Sequence, residues 1–335
     1  MRFQPGGRLL GVLLLLMAGS AVAQELPDDL TQLDLEQLLE LELIPIDVLG
    51  SHIHLRGQWM VGYRFMHMAM EGGHAHEADY PVRPEHMRMA LHMVEVMYGL
   101  TDRLTLMAML GYQQAAMESR TVQGTRFETS ASGPNDLQLA AHYALRSRAT
   151  HYLVGLLGVQ VPLGRVDVRD DTPMGTGQPL PYPMRPGSGT WDLVLGLTSI
   201  HRLGDWNLGV HGDALWRTGT NRFGYRLGHR VHAGAWVTYR VRAWMAWTLH
   251  VDAHVLGDVQ GHDARLNPAM TPTADPALQG ERHLTVQPAL NFYVPRGPLK
   301  GMRWSVYLDR PLLEAHEGAA METSWQLTLA WQWTR

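Results

Sequence analysis

Methionine side chains recur with even spacing on three neighbouring segments early in the chain, which holds 19 methionines in 335 residues. In an extended strand, residues of one parity point to one face. The sets that share a face are Met60, Met66, Met68 and Met70 with Arg64; Met87, Met89, Met93 and Met97 with Glu95; and Met107, Met109 and Met117 with Thr105. Because charged residues share this face, the spacing predicts a strip of thioethers that faces a polar interior.

A thioether is a neutral, soft ligand, and an imidazole is a borderline one, so both favour Cu(I) or Ag(I) over hard cations. The residues that could form such a soft-metal site are Met66, Met68, Met70, His74, His76, Met87 and Met89. Methionine is also a pliable apolar side chain that fills irregular space. We favour this second interpretation, in which the strip is an apolar wall that contacts a substrate and the protein holds no cofactor.

A second set of residues with alternate spacing is polar and mostly basic. Its members are His142, His211, Asp213, Arg230, His232, Arg240, His250, Asp252 and His254. Charges of this kind could create a transverse field across a pore. His250, Asp252 and His254 lie on one face of one segment and could bind a divalent ion. Ordinary solvated or paired residues inside a pore explain the same pattern, and both interpretations stay open.

The elements that hold these residues are predicted to be strands, because apolar residues recur with period two from residue 52 to the end. Turn residues divide this region into twelve segments, an even number, as single-chain bacterial barrels have. The predicted strands are 52–70, 87–98, 103–117, 135–146, 151–163, 190–202, 206–218, 225–240, 244–257, 282–295, 302–311 and 322–334.

Short and mostly long connections alternate between these strands, which is typical of barrels with tight periplasmic turns and long external loops. The connections at 71–86, 118–134, 164–189 and 258–281 are predicted to be external loops, and the last two are expected to fold over the mouth. We therefore expect an all-β fold, a transmembrane antiparallel up-and-down β-barrel of about twelve strands over 52–335. A secreted sandwich with one polar face is the alternative.

The first 51 residues have a different sequence pattern from the rest of the chain. Residues 1–23 contain Arg2, Arg8, an apolar run and the small-residue sequence Ala21-Val22-Ala23, which predicts a cleaved secretory signal peptide. Residues 28–44 place leucines at helical spacing ahead of Pro45, so a short periplasmic helix is expected within 24–51. An exported barrel predicts the outer membrane of a Gram-negative bacterium.

The composition excludes several classes of protein. The formal charge is −4, and removing Arg2 and Arg8 with the leader leaves 26 basic and 32 acidic residues. A nucleic-acid partner is not expected, because such proteins carry a basic excess. The chain has no Cys, which excludes disulfides, thiolate nucleophiles and Cys-ligated metals.

Three stretches resemble a known family. SGPNDLQLAAHYAL (132–145), VQVPLG (159–164) and GSGTWDLVLGL (187–197) resemble motifs of the outer-membrane family named for the meta-pathway of phenol degradation. His142 stands where many relatives carry Lys. The resemblance implies an outer-membrane barrel that passes small, often hydrophobic or aromatic, molecules, and it carries over no catalytic residue.

The expected function is therefore that of a channel for a small solute, with outer-membrane lipid around the barrel and the barrel-assembly machinery as its partner during insertion. Soft-metal binding or export is the alternative function. No H-E-x-x-H, G-x-S-x-G or P-loop motif is present, so the chain is not expected to be an enzyme. A barrel hydrolase, with Ser199 or Ser305 beside a histidine, is a more distant alternative.

Overall fold

The computed structural model describes residues 53–72, 80–148, 150–316 and 321–335. The backbone in these ranges is almost entirely β-structure. The strands are β1 (Trp59–Glu71), β2 (Val82–Thr101), β3 (Leu104–Thr121), β4 (Arg126–Pro134), β5 (Leu137–Arg148), β6 (His151–Val161), β7 (Arg169–Thr172), β8 (Gly175–Pro179), β9 (Asp192–Leu203), β10 (Trp206–Arg217), β11 (Tyr225–Arg226), β12 (Arg230–Arg242), β13 (Met245–Leu256), β14 (Gln260–Gly261), β15 (Glu281–Tyr293), β16 (Met302–His316) and β17 (Glu322–Thr334).

The main sheet closes on itself. Its order is β2-β1-β17-β16-β15-β13-β12-β10-β9-β6-β5-β3, and β3 pairs again with β2. Every pairing in this ring is antiparallel, and β4 and β5 together form one stave against β3. The result is a closed antiparallel barrel of twelve staves, which satisfies the backbone hydrogen bonds of every strand.

Three single-turn 3-10 helices, Tyr182–Met184, Pro272–Ala274 and Pro276–Leu278, lie in the long connections. Within the described ranges, no helix has the length and apolar character needed to cross a membrane. The helix predicted over 28–44 and the signal peptide over 1–23 lie outside the described residues.

Side chains alternate between the two faces of the barrel wall. On β5, Gln138, Ala140 and His142 are buried, whereas Leu139 and Tyr143 are exposed. The same parity rule exposes Leu157, Leu197 and Val210. An outer face of exposed leucine and valine around a polar inner face is the arrangement expected of a barrel in lipid.

The prediction of a long loop over 118–134 was wrong. Strand β3 continues to Thr121, and β4 begins at Arg126. The extension is an unbroken hairpin with charge on its outer surface, where Arg88 contacts Glu118 at 3.2 Å and Glu128 at 3.4 Å. Outward charges are costly in lipid, so a hairpin of this kind suits a position outside the hydrocarbon region of a membrane. The residues of this hairpin are mostly polar, so a search for apolar residues at every second position could not reveal its strands.

Other strand boundaries also differ from prediction. Strand β2 begins at Val82, within the loop predicted over 71–86, because it pairs there with the extended end of β3. Strand β1 begins at Trp59, not at residue 52, because residues 53–58 leave the ladder at Gly57, which has φ of 85°. The predicted segment 225–240 is divided, with Tyr225–Arg226 pairing to β14 outside the main sheet. Glycine adopts a positive φ without strain, so Gly57 allows the chain to turn onto the barrel end.

Candidate functional site inside the barrel

Three methionines of the predicted strip are buried together inside the barrel. Met60, Met97 and Met107 are opposite one another on β1, β2 and β3, and all three are buried. They belong to one apolar cluster, and the partly buried Met109 packs against it. The remaining members of this cluster are Ala140, Leu156, Val194 and Leu215.

A second methionine cluster lies toward the external end of the same strands. Met87 and Met117 pack there with Met184 and Met321, and with the half-buried Met70 and Met89. Val168, Leu180 and Met184 bring the connection between β6 and β9 onto this cluster. The loop predicted over 164–189 therefore folds inward and packs against the strip.

Residues of the strip between these clusters are half-buried. They are Arg64, Met66, Met68, Met93 and Glu95. Arg64, Met93, Glu95 and Met109 line one small internal cavity, so charge and thioether occur side by side. Of the predicted soft-metal ligands, His74 and His76 lie outside the described residues.

Six of the predicted polar residues meet in one cluster on β10, β12 and β13. Strand register places Asp213 opposite His232, and His232 opposite His254. It also places Gly234 between His211 and Asp252, with His250 on the next inward position of β13. Alternate spacing in the sequence grouped only the three β13 residues, and the structure adds His211, Asp213 and His232 to them.

The distances in this cluster are those of hydrogen bonds and ion pairs. His232 Nδ1 lies 3.0 Å from Asp213 Oδ1, and His232 Nε2 lies 2.7 Å from Asp252 Oδ1. His211 Nε2 is 3.3 Å from His232 Nε2 and 3.5 Å from Asp252 Oδ1. His250 Nδ1 is 3.2 Å from Asp252 Oδ2. The His232 and His254 rings stack with centroids 3.9 Å apart.

The remaining predicted polar residues do not join this cluster. Arg240 pairs with Asp205 of the β9–β10 turn at 2.8 Å. Arg230 is exposed at the start of β12. His142 is buried on β5, which is separated from β10 by β9 and β6 in the ring of strands. The predicted polar residues are therefore divided into separate groups.

The three motifs that resemble the family meet at one place in the structure. Asp136 accepts hydrogen bonds from the backbone of Gly164, at 2.9 Å, and from the hydroxyl of Ser188, at 2.5 Å. Gly164 and Gly187 are so close that a Cβ on Gly187 would lie 2.4 Å from the Gly164 carbonyl carbon. The motifs therefore fasten the long β6–β9 connection to the barrel wall.

A buried salt bridge joins two external connections over the mouth. Arg185 Nη1 lies 2.8 Å from Asp263 Oδ2, and both side chains are 1% exposed. Burial opposes ionisation of Asp263, but hydrogen bonds donated by Arg265 and Arg185 outweigh it and hold the pKa of Asp263 below its usual range. Sequence analysis missed this pair, because only the fold brings residues 185 and 263 together.

At the opposite end of the barrel, the segment before β1 is packed against β2 and β3. The His54 amide donates to the Thr105 hydroxyl at 2.8 Å, and His54 is 1% exposed. Burial, assisted by electrostatic interaction with His142 and Arg303, lowers the pKa of His54 to about 4. The imidazole of His54 is therefore neutral at pH 7.

The serines of the hydrolase alternative have different surroundings. Ser199 Oγ lies 3.1 Å from His151 Nε2, on the outward parity of β9, and the His151 ring stacks on His201 at 4.1 Å. Ser305 donates to the Asn291 side-chain oxygen at 2.7 Å. A catalytic serine needs a histidine that a third group orients, and the His151 contacts described here are with Ser199 and a second imidazole.

The closed antiparallel wall, the apolar outer face and the polar inner face define the outer-membrane β-barrel channel fold. The family profile "Putative MetA-pathway of phenol degradation" matches residues 90–305. The match spans more than half of the chain, and the chain belongs to this family. No curated protein matches the chain significantly.

One solved structure shares the fold, and two others have a weaker similarity. The COG4313 outer membrane channel from Pseudomonas putida F1 is 18% identical with a TM-score of 0.59, and the match covers 88% of this chain and 100% of the channel. The transport unit of the autotransporter AIDA-I from Escherichia coli is 10% identical with a TM-score of 0.47, covering 89% of this chain and 95% of the other. The NanC porin is 9% identical with a TM-score of 0.41, covering 83% and 98%.

Proposed function

We propose that the protein is a channel of the Gram-negative outer membrane that passes small hydrophobic or aromatic molecules along the methionine strip. The observation that carries the proposal is the position of the two apolar methionine clusters, one behind the other on the inner faces of β1, β2 and β3. Pliable thioethers offer apolar contact to ligands of varied shape. Membership in the phenol-degradation family supports an aromatic solute.

The proposal includes the route to the membrane. A cleaved signal peptide over 1–23 would export the chain, and the barrel-assembly machinery would insert it. Lipid would surround the exposed apolar side chains of the outer face. The proposed function is passive transfer without a cofactor or a nucleic-acid partner.

The transport proposal is tested by uptake into proteoliposomes, with phenol as the apolar probe and a zwitterionic amino acid as the polar probe. Met89→Leu/Met93→Leu keeps the wall apolar, so we expect phenol uptake within about twofold of the parent. Met89→Gln/Met93→Gln makes the wall polar, and we expect phenol uptake to fall at least fivefold. Met174→Gln is the matched control, because Met174 is 63% exposed in the external β7–β8 turn. Equal phenol uptake by all four proteins would refute the proposal.

Soft-metal binding is the second candidate function, because six methionines pack into the external cluster. The Thr129 hydroxyl lies 3.5 Å from the Met184 sulfur, which shows a polar approach to a thioether there. Leucine has no lone pair to donate, so Met87→Leu/Met117→Leu should abolish binding of Ag(I) in this case. Titration of the folded barrel with Ag(I) separates the two functions, since the apolar wall tolerates the same substitutions.

A further inference from the structure

We propose that His211, His232 and Asp252 form a binding site for one divalent first-row transition-metal ion, with Zn²⁺ as the reference ion. The site lies in the barrel wall on β10, β12 and β13, away from the methionine strip. The proposal does not depend on which solute the channel passes. It rests on the positions of three ligand atoms, on their supporting contacts and on the charge of the cluster.

The three ligand atoms have the spacing of a coordination sphere. Around a tetrahedral Zn²⁺ with bonds near 2.0 to 2.1 Å, neighbouring ligand atoms are about 3.4 Å apart. His211 Nε2 lies 3.3 Å from His232 Nε2 and 3.5 Å from Asp252 Oδ1. His232 Nε2 and Asp252 Oδ1 are 2.7 Å apart, so this contact must open by about 0.7 Å when the ion replaces its proton.

Two neighbours hold the ligands in the orientation that a metal needs. Asp213 Oδ1 is 3.0 Å from His232 Nδ1. A proton held there directs the lone pair of His232 Nε2 toward the ion, as carboxylate partners do for metal-binding histidines. His250 Nδ1, at 3.2 Å from Asp252 Oδ2, occupies the second carboxylate oxygen and leaves Oδ1 for the ion.

The backbone of β12 is shaped to let the ligands converge. Gly234 lies between His211 on β10 and Asp252 on β13. A Cβ at residue 234 would lie 2.1 Å from Asp252 Oδ1 and 2.6 Å from His211 Cε1. Any other residue would therefore push the two ligands apart, and glycine is the residue that permits the cluster.

The charge of the cluster favours a cation. Asp213 and Asp252 are each 7% exposed, and their salt-bridge partners among the described residues are all histidines. A divalent ion among neutral imidazoles would balance the two carboxylates. Mixed imidazole and carboxylate donors suit Zn²⁺, Cu²⁺ and Ni²⁺ better than Ca²⁺ or Mg²⁺. The His254 ring stacks on His232. It is a further possible ligand, because one of its nitrogens lies within 4.8 Å of ligand atoms of His232 and Asp252.

The experiment uses the full chain, purified in detergent without a polyhistidine tag and stripped with EDTA. Zn²⁺ is titrated by calorimetry, and Cu²⁺ is added for electron paramagnetic resonance. We expect one Zn²⁺ per chain and a Cu²⁺ spectrum with at least two coordinating nitrogens. His232→Gln and Asp252→Asn each remove a ligand, and we expect the Zn²⁺ dissociation constant to rise at least 100-fold.

His92→Gln is the matched control, because His92 is an outward histidine of β2 that contacts the Tyr63 hydroxyl at 2.7 Å. It should bind Zn²⁺ as the parent does. Loss of binding in His74→Gln/His76→Gln instead would assign the ion to the loop histidines and overturn the proposal. A parent that binds no ion, or a Cu²⁺ spectrum with fewer than two nitrogens, also overturns it, and this result needs no variant to fold.

Discussion

Single charged side chains in this protein depend on partners that lie far away in sequence. Asp263 is the best example, because it accepts hydrogen bonds from Arg185, which is buried, and from the backbone and side chain of Arg265. Arg185 in turn donates to the carbonyl of Leu180 at 2.9 Å and to the Tyr225 hydroxyl at 2.9 Å. One ion pair therefore connects the β6–β9 and β13–β15 connections over the mouth.

Asp263→Ala is predicted to be strongly destabilising. It leaves the Arg185 guanidinium buried without its counter-charge, which costs about 3 to 5 kcal/mol. Asp205→Ala is the control, because the Asp205–Arg240 pair is half-exposed and such pairs contribute about 0 to 1 kcal/mol. The free energy of unfolding in detergent, measured with urea, checks the difference. Equal losses in the two variants would contradict the assignment.

At the scale of elements, the segment 53–58 is fastened to the end of β2. Gly57 donates its amide to the Gly99 carbonyl at 2.8 Å, and the Gly99 amide donates to Gln58 at 3.0 Å. A Cβ at Gly99 would lie 1.9 Å from the Leu55 carbonyl oxygen. The close approach of two backbones requires glycine here.

Gly99→Ala should therefore release the segment while the barrel stays closed. We expect trypsin to cut after Arg56, which is exposed, at least tenfold faster than in the parent. Gly219→Ala, in the loop after β10 where no atom lies within 4 Å of the added Cβ and the backbone φ is not positive, controls for a general effect of substituting glycine. Mass analysis of the new terminus gives the rate, and unchanged protection of Arg56 would argue against the packing described.

Docking of this segment should also depend on pH. The folded pKa of His54, about 4, lies below the ordinary 6.5, so the released segment binds a proton more readily than the docked one. The free energy of docking is therefore most favourable above pH 6.5. It becomes less favourable by about 3 kcal/mol in total as the pH falls toward 4. A spin label at Arg56→Cys reports the mobility. The dependence should vanish when His54→Gln is added, and its persistence would exclude His54 as the cause.

The whole molecule is a closed wall whose outer surface is apolar, and closure decides which residues meet lipid. Strand β1 pairs with β17 over almost its full length, from Met60 opposite Thr334 to Glu71 opposite Glu322. This ladder joins the first and last staves, so no barrel stave is left at a sheet edge. Outward Leu197 lies near the middle of β9, whereas outward Leu203 is its last residue, next to the short β9–β10 turn.

If the barrel spans a bilayer, the cost of an outward arginine depends on depth. Leu197→Arg should destabilise the barrel by about 2 to 4 kcal/mol, and Leu203→Arg by about 0 to 1 kcal/mol. Both leucines are exposed, at 50% and 60%, so a soluble barrel would show small and similar effects. Unfolding titrations in lipid vesicles measure the two values, and equal values would exclude the predicted membrane position.

Alternation of apolar and polar residues in the sequence was sufficient to predict β-strands and a count of twelve staves. It also predicted that Met60, Met97 and Met107 share a face, because a strand has a period of two regardless of its neighbours. The same rule failed for Arg126–Pro134, where both faces are polar. Parity also placed His250, Asp252 and His254 on one face. It could not join them to His211 and His232, because register between strands is set by hydrogen-bond pairing and closure.

The sequence by itself therefore determined an antiparallel barrel of twelve staves, with Met60, Met97 and Met107 on one face of its first three staves. Only the tertiary structure decided which side chains meet across staves and loops, such as Asp136 with Ser188, or Arg185 with Asp263. The physical reason is the distance along the chain over which each feature is determined. The period of a strand is a local property of the backbone, whereas a contact between distant residues depends on the shear and closure of the whole sheet.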